Sequence, residues 1–393
     1  MPFVLVTILA LRISSYSLGL QDILHHYYFT TLLNEHTVFV MPLPNKNFEL
    51  SMTLDSLLEL CTNEFASDLH LSANQAPLLR IDGEVTPTNL PPISEKHLQD
   101  MLSSIVPDAH RGSFEQGVEI DFCFDIAGLS RFRTHIYRQH GGIAAAFRCI
   151  PLEVPTFEQL GLGEPYASLS SLPNGLVLLA GPTGSGKSSS MAAMLNFINR
   201  NRRCHIVSIE DPIEFTHLNN KCLIHQREVG QHSDSFAVAL RAALRQDPDV
   251  IAIGEMRDLE TINLALTAAE TGHLVLATLH TASAATSINR MIDVFPAAEK
   301  DTVRSMLSQS LRAVICQHLL EKRDGGRVMA NEILMANNAV RNLIREDKIA
   351  QLYSVMQTSQ SRQMHTLEQN VEKLVNDGQI SVEIAKQCSF KQL

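Results

Sequence analysis

Apolar and polar positions along this chain change their period several times, and the changes mark out its elements. Met52-Thr53-Leu54-Asp55-Ser56-Leu57-Leu58-Glu59-Leu60 sets apolar residues at helical spacing behind a capping threonine, which predicts an amphipathic helix. From Leu69 to Val85 short apolar runs alternate with turn signals at Ala76-Pro77 and Asp82-Gly83, the pattern of a pair of strands. Helical spacing returns at about 96–106. Ile120 to Phe124 and Ser130 to Tyr137 flank Gly128, and Ile143 to Ile150 supplies one more strand. Residues 52–150 thus read as an α+β domain. Pro151, Pro155, Pro165 and Pro173, among several Gly and Ser, make 151–174 a linker with at most a short helix.

Past the linker, Leu176 to Ala180, Cys204 to Ile209, Val250 to Ile253 and Leu274 to Thr278 are short buried-strand runs separated by helical patterns. That alternation predicts an α/β domain over 175–320, a mostly parallel sheet wrapped by helices. Beyond residue 296 the pattern reads as mostly helix, for example Lys300 to Leu319, with Asp324-Gly325-Gly326 as a hairpin-like turn. Residues 321–393 are expected to be mostly helical. No repeat of 20–50 residues is visible, which disfavours a solenoid.

Composition changes this picture only at its edges. A length of 393 residues suits two or three domains, and no apolar run approaches the ~20 residues of a spanning helix. The formal net charge of −10 disfavours a nucleic-acid partner, which calls for a basic face. Cys61, Cys123, Cys149, Cys204, Cys222, Cys316 and Cys388 are scattered without a C-x-x-C pair, so reduced thiols in the cytoplasm fit best. Phe3 to Leu11 is apolar but follows no basic segment and precedes no small-residue cleavage site, unlike a signal peptide. Residues 1–51 also lack the clean periodicity that begins at Met52. The expectation is an N-terminal extension, with Met52 as the natural start.

The chemistry begins at Gly181-Pro182-Thr183-Gly184-Ser185-Gly186-Lys187-Ser188, a G-x-x-x-x-G-K-S loop between an apolar strand and a helical run. Chance would produce this pattern in about one per cent of chains of this length. Its glycines allow a tight backbone path whose N–H groups surround phosphates, Lys187 supplies a point charge, and Ser188 is placed to ligate Mg²⁺. The chain is therefore expected to bind ATP. Glu210-Asp211-Pro212-Ile213-Glu214 ends the second strand with three carboxylates at the sheet edge where α/β folds bind ligands. Glu214 is the candidate base or water-positioner. The third strand runs into Gly254-Glu255-Met256-Arg257-Asp258. There Gly254 replaces the usual Walker B aspartate, leaving Glu255 to act on the metal's water shell or the attacking water. His273 and His280 bracket the fourth strand, roughly 23 Å apart at about 3.3 Å per residue, so they cannot share a metal. His280, beside Thr278, is placed to sense a γ-phosphate, while for His273 a structural and a functional role both stay open.

Taken together, these motifs resemble the PilT family, the type IV pilus retraction ATPases within the larger class of secretion ATPases. The loop at 181–188, the "Asp box" Glu210 to Glu214, the Gly254 to Asp258 Walker B and the "His box" Gly272 to His280 occur in that family's order. The glycine before Glu255 is itself family-like. Ala66-Ser67-Asp68-Leu69-His70-Leu71 resembles the opening of the family's PAS-like N-terminal domain. Ala339 to Glu346 resembles its retraction motif, with Val340 where isoleucine is usual. The resemblance implies a RecA-like ATPase domain after a PAS-like domain, ATP and Mg²⁺, and Glu210, Asp211 and His273 among the nucleotide-site residues. It also implies a homohexamer in which each N-terminal domain packs on a neighbour's ATPase domain, so that Arg133 and Arg148 face phosphate in trans. The expected place is the cytoplasmic side of the inner membrane at the pilus base, on a platform protein, with a paralogous retraction ATPase as a further expected partner. An accessory, PilU-like ATPase is the near alternative. A pilus-assembly or type II secretion ATPase is further off, since neither a four-cysteine insertion nor a longer N-terminal region is present, and a nucleic-acid motor is further still.

Overall fold

The computed structural model describes residues 52–81, 83–150, 153–359 and 363–390. The expectations for residues 1–51 lie outside these. Helix α1 (Leu54–Asn63) starts at Thr53, whose hydroxyl accepts from the Ser56 N–H while the Ser56 hydroxyl accepts from the Thr53 N–H, a reciprocal cap. Its buried face, Leu54, Leu57, Leu58 and Cys61, covers an antiparallel sheet. That sheet has β1 (Asp68–Ser72), β2 (Leu78–Ile81), β3 (Glu84–Pro87), β4 (Ile120–Ile126), β5 (Ser130–Gln139) and β6 (Gly142–Ile150), ordered β3-β2-β1-β6-β5-β4. Helices α2 (Glu95–Ser103) and α3 (Asp108–Glu115) lie between β3 and β4 in sequence. Phe122, Phe132 and Phe147 fill its core, and the register sets Arg133 directly opposite Arg148.

After α4 (Glu164–Ser170), the second sheet is built from β7 (Gly175–Ala180), β8 (His205–Glu210), β9 (Leu223–Glu228), β10 (Val250–Ile253), β11 (Leu274–Leu279), β12 (Leu311–Glu321) and β13 (Arg327–Met335). Its order is β13-β12-β7-β11-β10-β8-β9, parallel except for β13. Helices α5 (Lys187–Asn201), α6 (Phe236–Ala243), α7 (Leu259–Glu270), α8 (Ala284–Asp293) and α9 (Lys300–Ser310) connect its strands. Strand β7 is wholly buried between β12 and β11, so its carboxyl end opens at the middle of the sheet. The chain closes with α10 (Asn338–Arg345), α11 (Leu352–Thr358), α12 (Leu367–Asn376) and α13 (Val382–Phe390).

Two expectations need correction. The helix expected over 300–319 stops at Ser310, and Leu311 to Glu321 is strand β12. Residues 311–317 are buried almost without break, a run whose period does not separate helix from strand. The decision falls to pairing, since β12 docks beside β7. The sheet therefore runs on to Met335, past the expected limit at 320, and the region 321–393 opens with a strand before its helices. Strand β9 was not anticipated, because an edge strand reading Leu-Ile-His-Gln-Arg-Glu carries little apolar signal.

Behind the central strand lies a buried polar knot. The Tyr166 hydroxyl accepts from Gln317 Nε2 at 2.9 Å and from Asn331 Nδ2 at 3.2 Å, and Gln317 Nε2 also donates to Ser190 Oγ at 2.8 Å. Burial pushes the Tyr166 phenol up to about 12, so it stays protonated. The knot ties α4, the first helix of the parallel sheet and the β12–β13 pair together. Tyr166→Phe removes the acceptor that Gln317 and Asn331 share and should cost about 1–3 kcal/mol. A lowered urea midpoint in the full chain is the expected result, and an unchanged midpoint would deny the knot a structural role.

Candidate functional site

The loop after β7 turns on three glycines in the left-handed region, Gly181 (φ +142°), Gly184 (φ +78°) and Gly186 (φ +88°). A Cβ on Gly181 would stand 2.4 Å from the Gln317 carbonyl oxygen, so β12 presses on the loop and only glycine fits. The loop wraps Lys187, 7% exposed, whose ammonium donates to the carbonyls of Gly181 at 2.8 Å and Pro182 at 2.9 Å. Burial pulls the Lys187 pKa down, and the negative charges of Glu255 and Glu214 oppose that pull. Both carboxylates therefore lie within electrostatic reach of the lysine. Ser185 Oγ is buried without a hydrogen-bond partner, Ser188 is half-buried in the first turn of α5, and Pro182, Thr183 and Gly184 are exposed at the rim.

Glu255 follows β10. Burial alone would raise its carboxyl, but a hydrogen bond from Arg257 at 2.7 Å and the charges of His280, Arg257 and Lys187 hold it below the usual range. His280 Nε2 lies 3.5 Å from Glu255, and its Nδ1 lies 3.5 Å from Thr183 Oγ1. Thr278 donates its hydroxyl to the Gly254 carbonyl, which steadies the turn that carries Glu255. Gly254, where an aspartate would be usual, sits in a tight place. A Cβ there would press on Glu210 Cα and the Ile209 carbonyl oxygen, each at 3.2 Å.

On the next strand, Glu210 accepts from Ser208 Oγ at 2.7 Å and from Gln226 Nε2 at 3.2 Å, while burial raises its carboxyl above the usual range. It is a structural anchor in this chain. The exposed Asp211 leads through a cis peptide into Pro212. Glu214 then meets Arg133 of the antiparallel sheet at 3.9 Å, and Arg133 is itself paired with Asp121 at 2.8 Å.

Two expected residues stay apart from this cluster. Arg148, although opposite Arg133, pairs with Asp68 at 3.0 Å. His273 stands before β11, at the edge of the sheet opposite the loop. Its ring nitrogen is engaged with the Ala268 carbonyl at 2.9 Å, so within one chain it is no part of the nucleotide site. Sequence reasoning missed Arg131, Glu228 and the Tyr166–Gln317 pair. Arg131 Nε donates to the Ile213 carbonyl at 3.1 Å, and the buried Glu228 accepts from the Ile213 N–H at 3.0 Å. The one signal available was Glu228 at the end of a strand-length run.

The model of the type II/IV secretion system protein family matches residues 156–387, more than half of the chain. The chain belongs to that family. Within it, the chain is 53% identical over 336 residues to the type IV pilus retraction ATPase PilT of Pseudomonas aeruginosa, covering 86% of this chain and 98% of that protein. The same organism's PilU is 38% identical, over 85% of this chain and 88% of PilU. The crystal structure of the pilus retraction motor PilT with bound ADP superposes with a TM-score of 0.80 at 44% identity, covering 86% of this chain and 97% of that one. The PilT resemblance read from the motifs is thus confirmed, as is the α/β fold with a smaller domain ahead of it and helices behind. Among the described residues no helix is long and apolar enough to cross a membrane.

The tightness of the loop generates a direct test. Gly181→Ala sets a methyl against the Gln317 carbonyl and demands a left-handed backbone from alanine, so the loop must open. Nucleotide affinity, read by fluorescent-ADP titration, should fall by at least about tenfold, a loss of ~1.4 kcal/mol. Unchanged affinity would mean that the loop does not use this path when filled.

Proposed function

We propose that this chain is an ATP-hydrolysing motor for type IV pilus retraction and twitching motility, working as a homohexameric ring. The observation that carries the reading is the convergence of Lys187, Glu214 and Glu255 at one sheet edge, with Arg133 of the other domain 3.9 Å from Glu214. In binding ATP, Lys187 exchanges the Gly181 and Pro182 carbonyls for phosphate oxygens, and the loop's N–H groups and the start of α5 complete the cradle. Glu214 orients a water and takes its proton as the water oxygen bonds to the γ-phosphorus. The β–γ bridging bond breaks, with its electrons leaving on ADP. His280, between Thr183 and Glu255, reads the γ-phosphate. Arg133 offsets the charge that develops on the transferred group, and Arg148 joins it across a subunit boundary.

The oxygen donors fit Mg²⁺. Ser188 offers a hydroxyl in the first turn of α5, and Glu255 is a carboxylate held ionised beside the lysine, suited to bind through water. Bound there, the ion neutralises phosphate charge. The ring would sit on the cytoplasmic side of the inner membrane against the pilus platform protein, with a paralogous retraction ATPase as a further partner. Net charge of −10 speaks against nucleic acid in that role. The greater likeness to PilT than to PilU supports retraction itself over an accessory part.

Two experiments test this. Glu214→Gln should keep nucleotide binding and lose turnover by roughly 10²–10⁴-fold in a phosphate-release assay, and near-normal turnover would refute the base assignment. Cells carrying Lys187→Ala should bear long, non-retracting pili and fail to twitch. Absent pili would instead assign the chain to assembly.

A further inference from the structure

Glu228 is 5% exposed at the end of β9, and none of the ion pairs among the described residues involves it. A carboxylate buried in this way is costly unless its oxygens are matched by donors. Here they are matched. One oxygen accepts from the Ile213 N–H at 3.0 Å and the other from the Gln231 side-chain amide. The next peptide unit, Ile213–Glu214, is held from the other domain by Arg131 Nε, which donates to the Ile213 carbonyl at 3.1 Å. Arg131 is held in turn by both oxygens of Asp125 at 2.9 Å. Arg131 and Arg133 stand two residues apart on β5 and so share a face, one holding the backbone before Glu214 and the other meeting its carboxylate. On the far side, the buried Phe215 packs with Ile150, Ala192 and Cys123, a small apolar cluster that joins the two domains.

We infer that Glu228 and Arg131 are positioning residues for Glu214. They hold the two successive peptide units that flank Ile213, Glu228 through its N–H and Arg131 through its carbonyl, so the reach of Glu214 depends on how the N-terminal domain is seated. This rests on the reading of Glu214 as the base. Glu214 is the link between two anchored neighbours, Ile213 and Phe215, and neither Glu228 nor Arg131 makes a hydrogen bond or ion pair to the 181–188 loop. A domain shift that loosens Arg131 therefore misplaces the base without emptying the nucleotide site. Misplacement of about 1 Å costs on the order of 10² in rate.

Arg131→Met and Glu228→Leu in the full-length chain test the clamp. Each should lower kcat by roughly 10–100-fold while the affinity for a non-hydrolysable ATP analogue stays within about twofold. Glu228→Gln, whose amide oxygen can still accept from Ile213, should recover most of the rate. Placed in a Glu214→Gln background, Arg131→Met should change the residual rate by less than about twofold, because the group it positions is gone. The same fold-loss in both backgrounds, beside an impaired Glu214→Gln, overturns the clamp and leaves the base assignment standing. Normal turnover by Glu214→Gln alone overturns both. Should Glu228→Leu fail to fold, Arg131→Met, which keeps the aliphatic stem, carries the test.

Discussion

An ammonium group taken out of water must be held by something, and the edge of the parallel sheet is arranged around that need. Lys187 is buried beneath its own loop, where two backbone carbonyls stand in for solvent and two carboxylates lend it charge. The arrangement is adequate yet incomplete, since carbonyl dipoles satisfy an ammonium less well than full negative charges do. A triphosphate offers those charges at the same place. The loop can present the lysine this way because glycines permit the backbone path and β12 backs it, with the Gln317 carbonyl against Gly181. On the proposed reading, empty and filled states differ by an exchange of partners around one nitrogen.

The remainder of the site follows from strand order. With β7 inside the sheet and β11, β10 and β8 following on one side of it, Glu255 and Glu214 come within electrostatic reach of the lysine and His280 lies beside Glu255. Close packing of β8 on β10 leaves little room for a side chain at 254, and the acidic residue of this strand end is Glu255. The antiparallel domain adds Arg131 and Arg133 through adjacent same-face positions of β5. In the proposed mechanism, chemistry and domain seating therefore meet at a single stretch, Ile213 to Phe215. A motor needs such a meeting point, because a change in nucleotide must become a change in domain position.

Most of this was legible in the sequence where local rules decide the outcome. The loop at 181–188, the capped helix at Thr53 and the acid-ended strands state their structure through glycine, capping and period. What stayed hidden depends on contacts distant along the chain. Leu311 to Gln317 has no period that separates strand from helix, and only the neighbouring β7 makes it a strand. Glu228 reads as an ordinary polar end to a polar edge strand until its carboxylate is seen beneath Ile213. The sequence set His273 and His280 at opposite ends of one strand but left the role of His273 open, and only its bond to the Ala268 carbonyl ties it to the far edge. Arg148 was expected to face phosphate beside Arg133, but in this chain it pairs with Asp68, a partner distant in sequence.

The most direct test of the account is a crystal structure of the full chain with Mg²⁺ and a non-hydrolysable ATP analogue, read at Lys187 Nζ. The account predicts that the nitrogen leaves the carbonyls of Gly181 and Pro182, now at 2.8 and 2.9 Å, for oxygens of the β- and γ-phosphates. A nucleotide bound in the loop while Lys187 keeps both carbonyls would contradict it.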